Sequence, residues 1–97
     1  MNDVSTLEKA SAITFLIFLL QHGGSMPVTR LLHESGIHPT TFYARKRELI
    51  EAGLIREEGK IIDREGKVIK TIAIVLTPKG KKVAERLVEI KEIMEEK

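Results

Sequence analysis

No cysteine occurs among the 97 residues, which excludes disulfides and thiolate metal sites and leaves the redox compartment unconstrained. Side-chain amides are nearly missing as well. Only Asn2 and Gln21 carry one, while Lys and Glu are abundant, a balance typical of thermophilic proteins. Neither sign of charge dominates: 16 Lys and Arg against 14 Asp and Glu leave a net charge of +2. Attraction to a polyanion must therefore come from where the cations sit. A membrane-length apolar run is also lacking. No charged residue stands between Ala10 and Thr29, yet the continuous apolar part is only Ile13 to Leu20, far short of the ~20 residues a bilayer requires. An acidic segment precedes it and no small-residue cleavage site follows, which argues against a secretory leader. The reading is a soluble, cytoplasmic protein with no membrane contact. A length of 97 residues with 42% hydrophobic content suits a single domain over 1–97 with a modest core that needs no staples.

What is present is a succession of short, well-punctuated elements. Leu7, Ala10, Ile13, Ile17 and Leu20 recur at helical spacing and predict a helix from Thr6 to Gln21, stopped by Gly23-Gly24. Phe15, Phe18 and Leu19 fall on its other faces, so this helix is apolar most of the way round and must be covered on more than one side. Met26-Pro27-Val28 reads as a short extended piece. A second helix over Val28 to Ser35 ends at Gly36, and Ile37 plugs the turn that follows. Pro39 suits the first position of a third helix, which runs to Ala52 with Gly53 as its stop. Two apolar-rich runs, Leu54 to Asp63 and Lys67 to Leu76, flank Arg64-Glu65-Gly66 and read as a β-hairpin. A three-residue connection centred on Glu65 would set Ile61 opposite Ile69 and Ile55 opposite Val75. Thr77 and Pro78 are a natural N-cap and first residue for the last helix. There Val83, Leu87, Ile90 and Met94 recur at spacings of 4, 3 and 4 residues, a heptad-like seam.

The third helix carries the chemistry. Successive residues turn by about 100°, so with Phe42 and Leu49 inward, Thr40, Ala44, Arg47 and Glu51 lie outward, flanked by Tyr43. A helix after a helix-turn-helix turn is sized for the DNA major groove, and its early residues are the ones that reach base edges. Thr40, Tyr43, Ala44 and Arg47 are the expected readers; Arg47 suits guanine O6 and N7, and Ala44 a thymine methyl. Thr41, Arg45 and Lys46 sit nearer the edges, where phosphate contact is expected. The plainer reading of Arg45-Lys46-Arg47 is a solvated patch in which Glu48 and Glu51 serve as intrahelical partners, at a few tenths of a kcal/mol each.

On the hairpin, Lys60, Arg64, Lys67 and Lys70 project from a ribbon that extends past the core. Arg64 and Lys67 are weighted above the others for contact with the phosphate backbone or an adjacent minor groove. The alternative is an edge hairpin whose lysines merely discourage strand-to-strand aggregation. No nucleophile elbow, phosphate-cradling glycine loop or paired carboxylate with a partner base is found, so an enzyme is not expected. His22, His33 and His38 lack the acids or cysteines that would complete a metal site. Neither a metal nor a cofactor is expected.

Three segments together resemble the winged helix-turn-helix transcription regulators of the MarR/PadR type, particularly small archaeal members. They are Thr40-Thr41-Phe42-Tyr43, Leu49-Ile50-Glu51-Ala52-Gly53-Leu54-Ile55 and Leu76-Thr77-Pro78-Lys79-Gly80, and the likeness covers residues 7–96. It implies an α+β winged helix-turn-helix: a three-helix core, a β-hairpin wing over 59–71 and a C-terminal dimerisation helix over 78–96. It further implies a homodimer on double-stranded DNA, with the recognition helices, residues 39–52, in successive major grooves. Lys46 departs from the pattern, since such helices usually carry an aliphatic residue four positions after Phe42. The expected dimer surface is Phe15, Phe18, Leu19, Val83, Leu87, Ile90 and Met94, and the alternative is a last helix folded back onto its own domain. Such regulators often bind small effectors between the dimerisation helices and the DNA-binding lobe. Phe15, Phe18 and Met94 would line such a pocket, although simple packing explains them equally, and no effector is assigned. Two further readings stay open: an architectural protein that coats DNA without sequence preference, and a winged-helix module for protein interaction.

Overall fold

A computed structural model describes residues 5–96, with the side chains of Ile62 and Arg64 outside the described set. In chain order the elements are α1 (Ser5–Glu8), α2 (Ala12–Gln21), β1 (Ser25–Pro27), α3 (Val28–Ser35), α4 (Pro39–Glu51), β2 (Ile55–Arg64), β3 (Lys67–Leu76) and α5 (Pro78–Glu95). The expected first helix is broken. Ser11 adopts a left-handed conformation at φ 68°, and a turn closed by the Ala12 N–H on the Lys9 carbonyl at 3.1 Å separates α1 from α2. Nothing at Lys9-Ala10-Ser11 signals a break, since neither proline nor glycine is there. The turn lets Leu7 pack against the core from a direction that a straight helix would not offer.

The core forms where three helices meet one sheet face. Phe15, Leu16 and Leu19 of α2, Leu31 of α3, and Phe42 and Leu49 of α4 are buried together with Met26, Ile55 and Ile74 of the strands. The Phe15 and Phe42 rings stack at 5.1 Å, joining α2 to α4. A buried pair of this kind accounts for about 3–5 kcal/mol at each ring if truncated to alanine. Phe15 and Leu19 thus belong to the protomer's own core, at 0% exposure, and present nothing to a partner.

The sheet is antiparallel with strand order β1-β3-β2. Pro27 is tolerated because β1 is an edge strand that pairs Pro27 with Ala73. In the hairpin the expected register is off by one. Arg64 pairs with Lys67, Ile61 with Lys70 and Ile55 with Leu76, so the connection is two residues long, Glu65-Gly66. Both have positive φ, 52° and 78°, as a type I′ turn demands, and that turn matches the twist of the strands better than a three-residue loop. A one-residue slip reverses which face each side chain occupies. Ile61, Val68 and Ile72 therefore share a face with Lys70, while Lys60 and Lys67 lie on the other.

The last helix does two things. Its first half lies on α2, with Ala84 buried and Val83 and Leu87 half-buried against the core. Beyond Leu87 it leaves the domain, and Ile90, Ile93 and Met94 are exposed at 56%, 62% and 79%.

Candidate nucleic-acid interface

The helix α4 is fixed at both ends by groups that its own backbone needs. At the start, Pro39 fills the first helical position and His38 caps the helix, its Nδ1 accepting from the Thr40 N–H at 3.3 Å. Before it, the Ser35 hydroxyl accepts from the Ile37 N–H, closing the turn from α3. At the other end Gly53, at φ 76°, lets its N–H reach the Ile50 carbonyl at 3.0 Å and the Leu54 N–H reach Leu49 at 3.0 Å, the paired bonds of a Schellman motif.

The Leu76-to-Gly80 segment completes that terminus. The Thr77 hydroxyl donates to the Gly53 carbonyl at 2.6 Å and accepts from the Gly80 N–H at 2.9 Å. The Lys79 ammonium donates to the Ala52 carbonyl at 3.1 Å, placing a cation at the negative end of the α4 dipole. Gly80 permits this approach, because a Cβ there would lie 1.8 Å from the Leu54 carbonyl oxygen. Thr77, Lys79 and Gly80 are a clamp on the end of α4. Sequence reasoning marked the segment as a family signature without seeing this role.

Rotation of α4 follows from its buried side. Phe42 and Leu49 are fully buried, which turns Thr40, Tyr43, Arg47 and Glu51 outward, with Thr41 and Ala44 half-buried. Arg47 has no ion-pair partner among the described residues; the anticipated bridge to Glu51 is not formed. Arg45 and Lys46 are placed differently from expectation. Arg45 lies against the domain, its side chain 14% exposed and its Nε 2.9 Å from Glu48 Oε2. Lys9 joins the same carboxylate at 4.0 Å. Lys46, 20% exposed, crosses to the root of the wing and meets Glu57 Oε2 at 3.3 Å. Both charges are paired with a carboxylate of the same chain.

The wing tip is more apolar than the sequence pattern indicated. Ile61 and Val68 are exposed at 71% and 69%, between exposed Lys60, Lys67 and Lys70. The side chain of Arg64 lies outside the described residues. Among the described residues, no cluster of His, Asp or Glu is arranged to hold a metal ion, and no helix is long and apolar enough to cross a membrane.

A helix-turn-helix whose second helix is followed by a two-stranded ribbon, all on a small three-stranded sheet, defines a winged helix. Solved structures share that fold over nearly the whole chain. A transcriptional regulator homologue from Pyrococcus horikoshii OT3 superposes with a TM-score of 0.72 at 21% identity, over 93% of this chain and 85% of its own. A MarR protein from Peptoclostridium difficile gives 0.72 at 18% identity, over 94% of this chain and 56% of its own. Sso10a-2, a DNA-binding protein from Sulfolobus solfataricus, gives 0.59 at 21% identity, over 89% and 81%. No protein-family model and no curated sequence matches the chain.

Proposed function

We propose that this chain is a DNA-binding transcription regulator that acts as a homodimer. Helix α4 enters the major groove, and the wing, residues 59–71, lies on the backbone or in the adjacent minor groove. The observation that carries this reading is the outward stripe Thr40, Tyr43 and Arg47 on a helix anchored at both ends, with Arg47 in no ion pair among the described residues. A rigidly mounted guanidinium with no internal partner suits bidentate recognition of guanine. Thr41 at the helix edge, together with Lys67 on the wing, suits phosphates. The likeness to a regulator homologue and a MarR protein supports the same reading.

Support for the dimer comes from apolar surface left uncovered by the protomer. Ile13, Ile17, Phe18, Leu87 and Ile90 line a groove of about 330 Å³ between α2 and α5, and Ile93 and Met94 are exposed further along α5. Such a surface suits a second copy related by a two-fold axis, which would set two recognition helices about 34 Å apart along the duplex.

The second reading is DNA coating without sequence preference, which exposed Lys60, Lys67 and Lys70 on the wing would serve through phosphate contacts alone. Titrations on random and selected duplexes at several salt concentrations separate the two. A specificity ratio above ~10³ marks the regulator. Equal affinity for all duplexes with a steep salt slope marks the coating protein. No binding at low salt removes both.

A further inference from the structure

Tyr43 is half-exposed on the outward face of α4, yet its ring is held from two directions. The Phe42 ring meets it edge-on at 5.3 Å with an interplanar angle of 88°, so the core braces one side. The Lys46 ammonium stands 5.3 Å from the ring centroid on another side, within reach of a cation–π contact. That ammonium is itself held at 3.3 Å by Glu57, a residue of β2 paired with buried Ile74. Tyr43, Lys46 and Glu57, with Arg47, Ile50 and Glu51, line one open depression of about 460 Å³ between the recognition helix and the wing root. An aromatic ring that must order on binding loses conformational freedom and so weakens binding. Bracing removes that loss beforehand.

We infer that Lys46 and Glu57 are a positioning pair, which presets the Tyr43 ring for base contact and keeps the Lys46 charge away from the phosphates. The inference rests on the DNA-binding reading above and assigns roles within that site. Lys46 here acts through Tyr43 and touches no DNA. Its ion pair also couples the wing root to the recognition helix, so a shift of β2 would be felt at the reading face. The departure of Lys46 from the aliphatic pattern of such helices thereby has a use: an aliphatic residue would pack equally well but could not hold the ring from above.

Two measurements test this independently. Tyr43 is the single tyrosine and the chain has no tryptophan, so ultraviolet emission of the free protein reports this ring alone. In anisotropy decay, K46M and E57Q should each at least double the amplitude of fast ring motion. K46R, which keeps a charge that can stack on the ring and reach Glu57, should resemble the parent. On DNA, K46M should lower the ratio of selected to random affinity without changing the salt slope on random duplex. E57Q should also lower that ratio but steepen the slope by about 0.9, because the released ammonium gains a phosphate. Unchanged ring motion in both K46M and E57Q would overturn the inference. So would a K46M protein whose slope falls by about 0.9 with its specificity ratio intact, since Lys46 would then be a phosphate contact. If the parent protein binds no duplex at low salt, the DNA-binding reading fails and the pair with it as a reading device, whereas the anisotropy arm still decides whether it braces the ring.

Discussion

Among single residues, Arg47 and Gly80 mark the two ways a side chain matters in this molecule. Arg47 is exposed and in no ion pair among the described residues, so its truncation should leave the fold within about 0.5 kcal/mol of the parent. The same Arg47→Ala change should cost about 1–3 kcal/mol on a selected duplex and relax preference at one base position. Titrations on a set of single-base variants would show this, and an unchanged profile would remove Arg47 from the reading face. Gly80→Ala acts in the opposite sense. With a Cβ 1.8 Å from the Leu54 carbonyl oxygen, the start of α5 must back away from α4 and the clamp opens. We expect a loss of about 3 kcal/mol, at the upper end for overpacking, measured by chemical denaturation. A denaturation curve matching the parent would mean that the clamp yields without cost. Arg45 and Lys46 show what a residue list by itself leaves out: both are cations of α4, and both are paired within the chain, with Glu48 and Glu57.

At the scale of elements, most boundaries were legible because each is punctuated by a residue with one physical use. Pro39 and Pro78 open helices where a missing N–H is free of cost, and Gly53 closes one where positive φ is required. Two features escaped. The break at Ser11 has no chemical signature, because the left-handed serine is imposed by how Leu7 and the α2 stripe both reach the core. The hairpin register escaped because Glu-Gly is a weaker type I′ signal than Asn-Gly, although its geometry is the same. Glu65, at φ 52°, is thus poorly matched to its turn. Replacing it with asparagine, which visits that region more readily, should stabilise the hairpin by a few tenths of a kcal/mol. Thermal unfolding of E65N should show a small rise in Tm; a fall would indicate that the Glu65 carboxylate has a partner the turn needs.

For the whole molecule the open question is what covers the groove between α2 and the outer half of α5. Leu87 is not the residue to test there, since it is half-buried against its own core and a charge would damage the protomer. Ile90 is 56% exposed and lies on the same groove. If two copies pack through it, Ile90→Glu should halve the sedimentation mass while circular dichroism stays the same. A mass unchanged by the substitution, or a parent protein that is already monomeric, would exclude this surface as the dimer seam.

What the sequence by itself determined is the element order from α2 onward, the inward Phe42–Leu49 side of α4 and hence the outward stripe of Thr40, Tyr43 and Arg47. These follow from local periodicity and from residues whose backbone requirements are nearly absolute. Tertiary structure decided the rest, because the deciding contacts join residues far apart along the chain: Lys46 to Glu57, Lys79 to the end of α4, Phe15 and Leu19 to the core. A cation's availability to DNA depends on which carboxylate the fold sets beside it, and helical spacing alone does not carry that information.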